Sequence, residues 1–447
     1  MKNIRPVVRM PIRLAISAAG LLLLGGCGSA PVDSPEVDAL RRQRRAETST
    51  PLAERVAQIE DRLFADFYEK RLGLITNFNL RRDGRMERGF VNVEQNAHLL
   101  IGLACKFAVT GDPLTQARAK RLIAGLDAVD RANGLDGFPP LEARVVNGEI
   151  EVVSNRFVAS SYTQLLYAEV LAWRLFADPQ LKTAISTQSR RMLDHLIGHG
   201  LVVVDGKGRP LPYSDASLKP RLFGTARELE TISFVRMACF FAREAAPERL
   251  AELVALRDRV ERDYGYARMP YLLHFSIPFV ELPTVSSSWL NFMALAALVE
   301  TDGAMKYRRL LHGLAADYRS QQNPFFIALD LLYGPESSAE WTERQRQIAW
   351  QRLATYPLTN DSHELQNIGR PPYQRRFPPR YIKNSVPIEA SHPIPFYDLA
   401  GDAYQWKRNL LLLHGNPLGD GGRVYSGVDC YEAYWLLAYA KSVRPGG

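Results

Sequence analysis

Apolar and amphipathic helical segments alternate along most of this chain, with a helix-starting signal between them. The clearest signals are Asp112-Pro113, Asp178-Pro179 and Ala246-Pro247. An aspartate side chain accepts hydrogen bonds from the free amides at a helix N-terminus, and proline lacks an amide that would be left free there. These steps therefore predict where one helix of a hairpin ends and the next begins.

The segments between these signals differ in how much of their surface is apolar. One kind is rich in Leu, Ala, Tyr and Phe around most of the circumference, which is typical of helices buried on most sides: 92–109, 160–176, 225–243, 287–300 and 428–441. The other kind carries one apolar stripe on an otherwise charged surface: 113–130, 179–198, 247–263, 303–320 and 338–354. Helices near 51–70 and 323–333 complete the set. The pattern predicts an all-α fold of about six helical hairpins, an inner ring wrapped by an outer ring.

A helical solenoid is the competing architecture for such a chain. Solenoid repeats of this type are about 34–47 residues long. The signals at Pro113, Pro179 and Pro247 stand farther apart than that. The surplus lies in long inter-helix insertions, which favours a closed ring with a cleft built from loops.

Several blocks of sequence resemble uncharacterised bacterial relatives of six-hairpin glycosidases and related lyases, which are (α/α)6 toroids. The blocks are NVEQNAHLLIGLACKFAVTGDP, GLDGFPPLEAR, SSYTQLLYAEVLAWRLFADP, HLIGHGLVVVDGKGRPLP and YSGVDCYEAYWLLAYAK. The resemblance covers most of residues 51–442. It implies a toroid whose central cleft is lined by the loops that lead into the inner helices. It carries no assigned catalytic residues onto this chain.

The N-terminus has the layout of a bacterial lipoprotein signal. Four basic residues precede a short apolar run, which is too short for the ~20 residues of a membrane span. Leu24-Gly25-Gly26-Cys27 resembles the lipobox, which implies cleavage before Cys27 and attachment of lipid, including fatty acyl chains such as palmitate, to that cysteine. Gly28 then implies the outer membrane. An ordinary cleaved signal with an incidental cysteine is the alternative.

These signals divide the chain into three parts: a signal peptide over 1–26, a flexible tether over 27–50 and the toroid over 51–447. The tether is polar, charged and Pro-bearing, which is typical of linkers. The signal's four basic residues supply half of the formal net charge of +8. The mature chain is therefore only mildly basic, which gives no reason to expect nucleic acid as a partner.

Three acidic residues are the catalytic candidates: Asp136, Glu228 and Asp429. Each belongs to a different hairpin, in or just after a segment that leads into a predicted inner helix, so the three could converge. Glycoside hydrolysis needs two carboxyl groups, ~5–5.5 Å apart for retention or ~6.5–9.5 Å apart for inversion. Helix capping is the alternative role, and Asp429 fits it well.

Substrate binding is predicted for five residues in the same loops: Glu94, Arg144, Tyr162, Arg370 and His392. The last two bound a Pro-rich, basic and aromatic insertion, RPPYQRRFPPRYIKNSVPIEASH. Arginines there could neutralise the carboxylate of a uronate in a lyase reaction, with a tyrosine or histidine as the base. Packing of a surface loop against the ring is the alternative.

No other motif predicts a cofactor or a metal site. His98, His195 and His199 lack metal-ligand spacing and are interpreted as structural, and Cys105, Cys239 and Cys430 as small buried side chains that a disulfide could join. The sequence thus favours a lipid-anchored envelope protein that binds or acts on a polysaccharide, as a hydrolase or a lyase. A non-enzymatic protein that holds a glycan or polypeptide during assembly or export is the alternative.

Overall fold

A computed structural model describes residues 35–80, 86–155, 157–205, 208–215, 225–263, 285–358, 388–389, 393–399, 405–407, 410, 412–413 and 422–444. The helices are α1 Pro35–Glu47, α2 Leu52–Ala65, α3 Val93–Thr110, α4 Pro113–Ala132, α5 Ala159–Leu175, α6 Pro179–Gly198, α7 Thr225–Ala245, α8 Leu250–Asp263, α9 Val285–Asp302, α10 Met305–Asp317, α11 Pro324–Tyr333, α12 Ala339–Leu353 and α13 Val428–Val443. Within these ranges, no helix is both long and apolar enough to cross a membrane.

The strands are short: β1 Tyr68–Glu69, β2 Leu74–Leu80, β3 Met86–Asn92, β4 Glu142–Val146, β5 Glu149–Ser154, β6 Val202–Val204, β7 Pro210–Asp215, β8 Ile388–Glu389, β9 Leu412–Leu413 and β10 Gly422–Val424. Most of them lie in the segments that connect one hairpin to the next. Helices therefore form the bulk of the described molecule.

Among the described helices, six form a closed inner ring. Helices α3, α5, α7, α9, α11 and α13 contact one another in chain order, and α13 returns to contact α3. Helices α4, α6, α8, α10, α12 and α2 pack outside this ring, each against the inner helix that precedes or follows it in the cycle. A closed cycle is what a toroid predicts and an open solenoid does not.

The helix-starting signals act as the sequence predicts. The Asp112 carboxylate accepts hydrogen bonds from the amides of Leu114 and Thr115, and the Asp178 carboxylate accepts one from Leu181. Pro113 and Pro179 are the first residues of their helices. At the third signal, Pro247 begins a short 3-10 turn that leads into α8.

An antiparallel sheet makes the fold more than all-α. Strands β1 to β5 pair in chain order, and β10 pairs with β2. The sheet lies where inner helices begin, because β3 runs directly into α3, β5 precedes α5 and β10 precedes α13. The all-α prediction therefore holds for the ring but not for the connections that cover one end of it.

The predicted tether is helical over much of its length. Residues 35–47 form α1, although this part was predicted to be flexible. The Arg44 side chain is buried and donates hydrogen bonds to the carbonyls of Leu399 (2.8 Å) and Phe396 (3.3 Å). Two charge-assisted hydrogen bonds to carbonyls hold the helix against the ring domain. The polar composition of the segment alone did not indicate this contact.

Candidate functional site

The N-terminal turns of at least four inner helices meet at one end of the ring, which we call the start end. The Ser161 hydroxyl in the first turn of α5 donates a hydrogen bond to Glu94 Oε1 in the first turn of α3. One turn deeper, His98 of α3 lies between Glu432 of α13 and Trp289 of α9. Side chains from α3, α5, α9 and α13 therefore form one polar group inside an apolar ring.

The centre of this group is a buried histidine–carboxylate pair. His98 Nδ1 lies 2.8 Å from both oxygens of Glu432, and His98 Nε2 lies 3.3 Å from Gln164 Oε1. Trp289 stacks on the imidazole with ring centroids 5.5 Å apart. Glu432 is fully buried, and this burial raises its pKa against the opposing effect of His98.

Glu94 is the carboxylate of the start end that solvent reaches. It precedes His98 by four residues on α3, so the two side chains share a face and Glu94 lies one turn nearer the helix start. Glu94 is half-buried, whereas His98 is fully buried.

A glycine lets α3 and α13 approach closely enough to bring His98 and Glu432 together. A Cβ atom at Gly102 would lie 2.6 Å from the ring of Tyr431. Gly102 follows His98 by four residues, and Tyr431 is adjacent to Glu432. Close packing of the two helices therefore depends on the missing side chain, one turn below the polar pair.

Asp429 is buried under a neighbouring loop. Its Oδ1 atom accepts a hydrogen bond from the Tyr356 hydroxyl at 2.6 Å, and its backbone carbonyl accepts one from Trp406 Nε1 at 3.1 Å. Tyr356, whose pKa burial raises strongly, is itself fully enclosed. This placement suits a structural role for Asp429 better than the predicted catalytic role.

Asp136 has a different set of partners from Asp429. Its side chain is 81% exposed and lies 3.2 Å from Arg191 Nε on the outer helix α6. Arg191 also pairs with Asp127 and Asp130 of α4. Asp136 is thus the exposed member of a charge network on α4 and α6, and the structure does not bring it together with Asp429.

Two predicted substrate-binding residues also have other roles in the structure. Arg144 forms a bidentate pair with Glu151 across the β4–β5 hairpin, at 2.8 and 2.9 Å, and both side chains are about half exposed. Tyr162 is fully buried, and its hydroxyl donates to the Gly137 carbonyl at 2.9 Å. Arg144 remains accessible to a ligand on the sheet, whereas Tyr162 holds the loop before β4.

The side chains of four other predicted residues lie outside the part of the chain that the structure describes. Glu228 lies in the first turn of the inner helix α7, but its side chain is outside the described residues, as are Arg370, His392 and Cys27. Cys105, Cys239 and Cys430 are buried free thiols. The described part of the chain has no group of three or more His, Cys, Asp or Glu side chains placed to hold a metal ion.

Sequence analysis interpreted His98 as structural but did not pair it with Gln164 or Glu432. The available signal was chemical: each is a polar residue in a helix that is otherwise buried and apolar. Such a residue needs a hydrogen-bonding partner, because burying a polar group without one costs free energy. That argument predicts a partner for His98 without saying which of several inner helices supplies it.

No protein-family model matches the chain, and no curated protein matches it. A search of solved structures found an endoglucanase from the termite Nasutitermes takasagoensis, described at pH 2.5. The two share 9% sequence identity with a TM-score of 0.43, over 92% of this chain and 100% of the endoglucanase chain. A likeness this distant supports neither a fold assignment nor a function, so both rest on the residues themselves.

Proposed function

We propose that the protein is a lipid-anchored protein of the cell envelope that binds or acts on a polysaccharide at the start end of its ring. The observation that carries this proposal is the convergence of four inner-helix starts on one polar group with a half-exposed carboxylate, Glu94, on its solvent side. Helix N-termini, a carboxylate and hydroxyl groups supply the donors and acceptors that sugar hydroxyls need.

Hydrolysis is the reaction that this arrangement serves best. Glu94 is suited to be the base or nucleophile of a glycosidase pair, because it is a half-exposed carboxylate that a substrate at the start end could reach. We propose Glu228, in the first turn of α7, as the second carboxyl group and proton donor. His98 and Glu432 act as positioning residues, since they hold the first turns of α3 and α13 in register.

The catalytic proposal is tested by paired amide substitutions. The mature protein is incubated with a panel of neutral and acidic glycans, and new reducing ends and unsaturated uronates are measured separately. Glu94→Gln and Glu228→Gln are each expected to lower turnover by about 10²–10⁴-fold. Glu340→Gln is the matched control, because Glu340 is the second residue of the outer helix α12 as Glu94 is of α3; its activity should equal that of the unsubstituted protein.

A non-enzymatic role is the second candidate, and the filled centre of the ring favours it. His98, Glu432 and Trp289 are all buried, so the described part of the ring is filled at their level. Glycan binding without turnover, unchanged in Glu94→Gln, would establish this role and contradict hydrolysis. Unsaturated uronates as the product would point instead to a lyase.

The anchor is tested by localisation. Cys27→Ser removes the sulfur that would carry the lipid, so the protein should leave the outer-membrane fraction and become releasable without detergent. Loss of the lipid removes about 0.8 kcal/mol for each buried methylene of the chains. Cys105→Ser is the control and should stay with the membrane. Retention of Cys27→Ser in the membrane would contradict the anchor.

A further inference from the structure

A cavity lies at the opposite end of the ring from His98 and Glu94, which we call the far end. Its volume is about 340 Å³, and it lies between the end of α11, the start of α12 and the end of α13. A smaller cavity of about 20 Å³ adjoins it and shares two of its residues, Asp330 and Trp341. The larger volume falls within the range of small-molecule sites, about 300–1,000 Å³.

The acidic side of this cavity is fixed in place. Asp330 is only 6% exposed, and its two carboxylate oxygens lie 3.0 and 3.1 Å from His312 Nδ1. The Asp330 hydrogen bond raises the pKa of His312. The imidazole in turn meets the indole of Trp341 edge to face, with centroids 5.4 Å apart. Asp330, His312 and Trp341 therefore form a connected wall.

The basic side is fixed by the ends of two inner helices. Arg444, which follows α13, donates from Nη2 to the carbonyl of Gly334, which follows α11, at 2.9 Å. The Arg444 carbonyl accepts a hydrogen bond from Arg346 of α12 at 3.0 Å. A Cβ atom at Gly334 would lie 2.4 Å from Asp330 Oδ1, so glycine is needed where the two sides meet.

The lining suits a ligand without net charge. The negative charges of Asp330 and Glu336 are offset by the positive charge of Arg444 and by His312, which contacts Asp330. The carboxylates would repel an anionic ligand, and the arginine would repel a cationic one. A sugar can donate to the carboxylates, accept from the arginine and place the C–H groups of its ring on the indole.

We infer that this far-end cavity is a second binding site, and that it takes one or two residues of a neutral glycan. Its residues come from α11, α12 and α13 and include none of the start-end group. The site therefore does not depend on the chemistry proposed for Glu94. Two sites at opposite ends of one ring would let the protein hold a polymer at two points.

The inference is tested with fluorine-labelled tryptophan in the full chain. The chain has six tryptophans, and Trp341→Phe identifies the ¹⁹F resonance of Trp341 by its absence. Cellobiose, maltose and N,N′-diacetylchitobiose are titrated in turn, with glucuronate and glucosamine as charged comparisons. We expect at least one neutral disaccharide to shift the Trp341 resonance saturably, and the charged monosaccharides to shift it less.

Variants then separate the two sites. Glu336→Gln, on the exposed rim of the cavity, should weaken this binding several-fold, whereas Glu94→Gln should leave it unchanged. A failure of start-end turnover would not alter this result, so the two proposals fail separately. No saturable shift with any of the three disaccharides would overturn the inference, and so would tighter binding of glucuronate or glucosamine than of all three.

Discussion

The two ends of the ring differ in how far solvent reaches their histidine–carboxylate pairs. At the start end, His98 and Glu432 are buried against each other beneath Trp289, with no exposure for either partner. At the far end, His312 and Asp330 pair beside Trp341, but the histidine remains 32% exposed and the wall faces a cavity. An imidazole, a carboxyl group and an indole therefore form a buried layer below Glu94 at the start end, and border an open cavity at the far end. The difference indicates that the start-end pair fixes helix positions, whereas the far-end pair supports a surface.

The largest difference is expected when one partner of the buried pair is removed. His98→Ala leaves the carboxyl group of Glu432 buried without its imidazole partner, which should lower the free energy of unfolding by about 3–5 kcal/mol. Urea unfolding measures it. Arg144→Ala breaks the exposed pair with Glu151 and is the control, with no measurable loss expected. Equal losses in the two variants would contradict the role given to His98.

A pH series extends the comparison to a buried carboxyl group whose hydrogen-bond partner is a hydroxyl. Glu169 of α5 is fully buried, its Oε2 accepts a hydrogen bond from Ser189, and burial raises its pKa to about 8. The folded state keeps this proton over a range in which the unfolded state has lost it. Stability from this group is therefore complete below about pH 4.5 and is lost as the pH rises through 8.

Glu169→Gln cannot ionise and should lack this loss. From pH 5 to 8, the unsubstituted protein is expected to lose up to about 1 kcal/mol per pH unit relative to the variant, as urea unfolding at each pH would show. Glu340→Gln, which is exposed, should follow the unsubstituted protein. Parallel curves for Glu169→Gln and the unsubstituted protein would refute the raised pKa.

A smaller effect is expected at Asp429. Tyr356→Phe removes the hydroxyl that donates to this buried carboxylate, and should cost about 1–3 kcal/mol. Tyr434→Phe, on the half-exposed side of α13, should cost less than about 0.5 kcal/mol. Differential scanning calorimetry of the two variants measures the difference. If Tyr356→Phe were as stable as the unsubstituted protein, Asp429 would not need its partner and would be free for another role.

The smallest effect compares one substitution at both ends. Trp289→Phe should cost about 1–3 kcal/mol, because the smaller ring leaves a gap beside the buried imidazole. Trp341→Phe should cost less than about 1 kcal/mol, because solvent already reaches that indole. Chemical unfolding of the two variants gives both values. A larger loss of stability for Trp341→Phe than for Trp289→Phe would mean that the far end is more tightly packed than the start end.

The helices of the ring could be predicted from sequence, and most of the sheet could not. Asp112-Pro113 and Asp178-Pro179 are local signals, so they hold whatever the rest of the chain does. Strands β2 and β3 are partly polar, and only their pairing with each other is local. The sheet also needs β10 to pair with β2 and β4 to pair with β3, and these partners lie much farther along the chain. One hairpin did carry a local signal: Asn147-Gly148 lies between the alternating strands β4 and β5, and both residues have positive φ, as a tight hairpin turn requires.

The candidate site divides in the same way. Glu94, His98, Gln164 and Glu432 could be placed at helix starts because helix phase follows from nearby residues. The contact between His98 and Glu432 joins positions 334 residues apart, and it depends on ring closure by α13. Asp136 and Asp429 were equally plausible catalytic carboxylates in sequence. Only the folded structure shows that Asp136 pairs with Arg191 and is exposed, whereas Asp429 is buried against Tyr356.

The seat of α1 on the ring sets how far the protein can stand from a membrane. Seven residues lie between Cys27 and Pro35, where α1 begins, so eight residue-to-residue steps join the two. Even a fully extended chain of that length spans only about 28 Å. A lipid on Cys27 would therefore hold the domain close to the bilayer, through a short linker that ends at helix α1. Polymers within that narrow layer would be the ones it can reach.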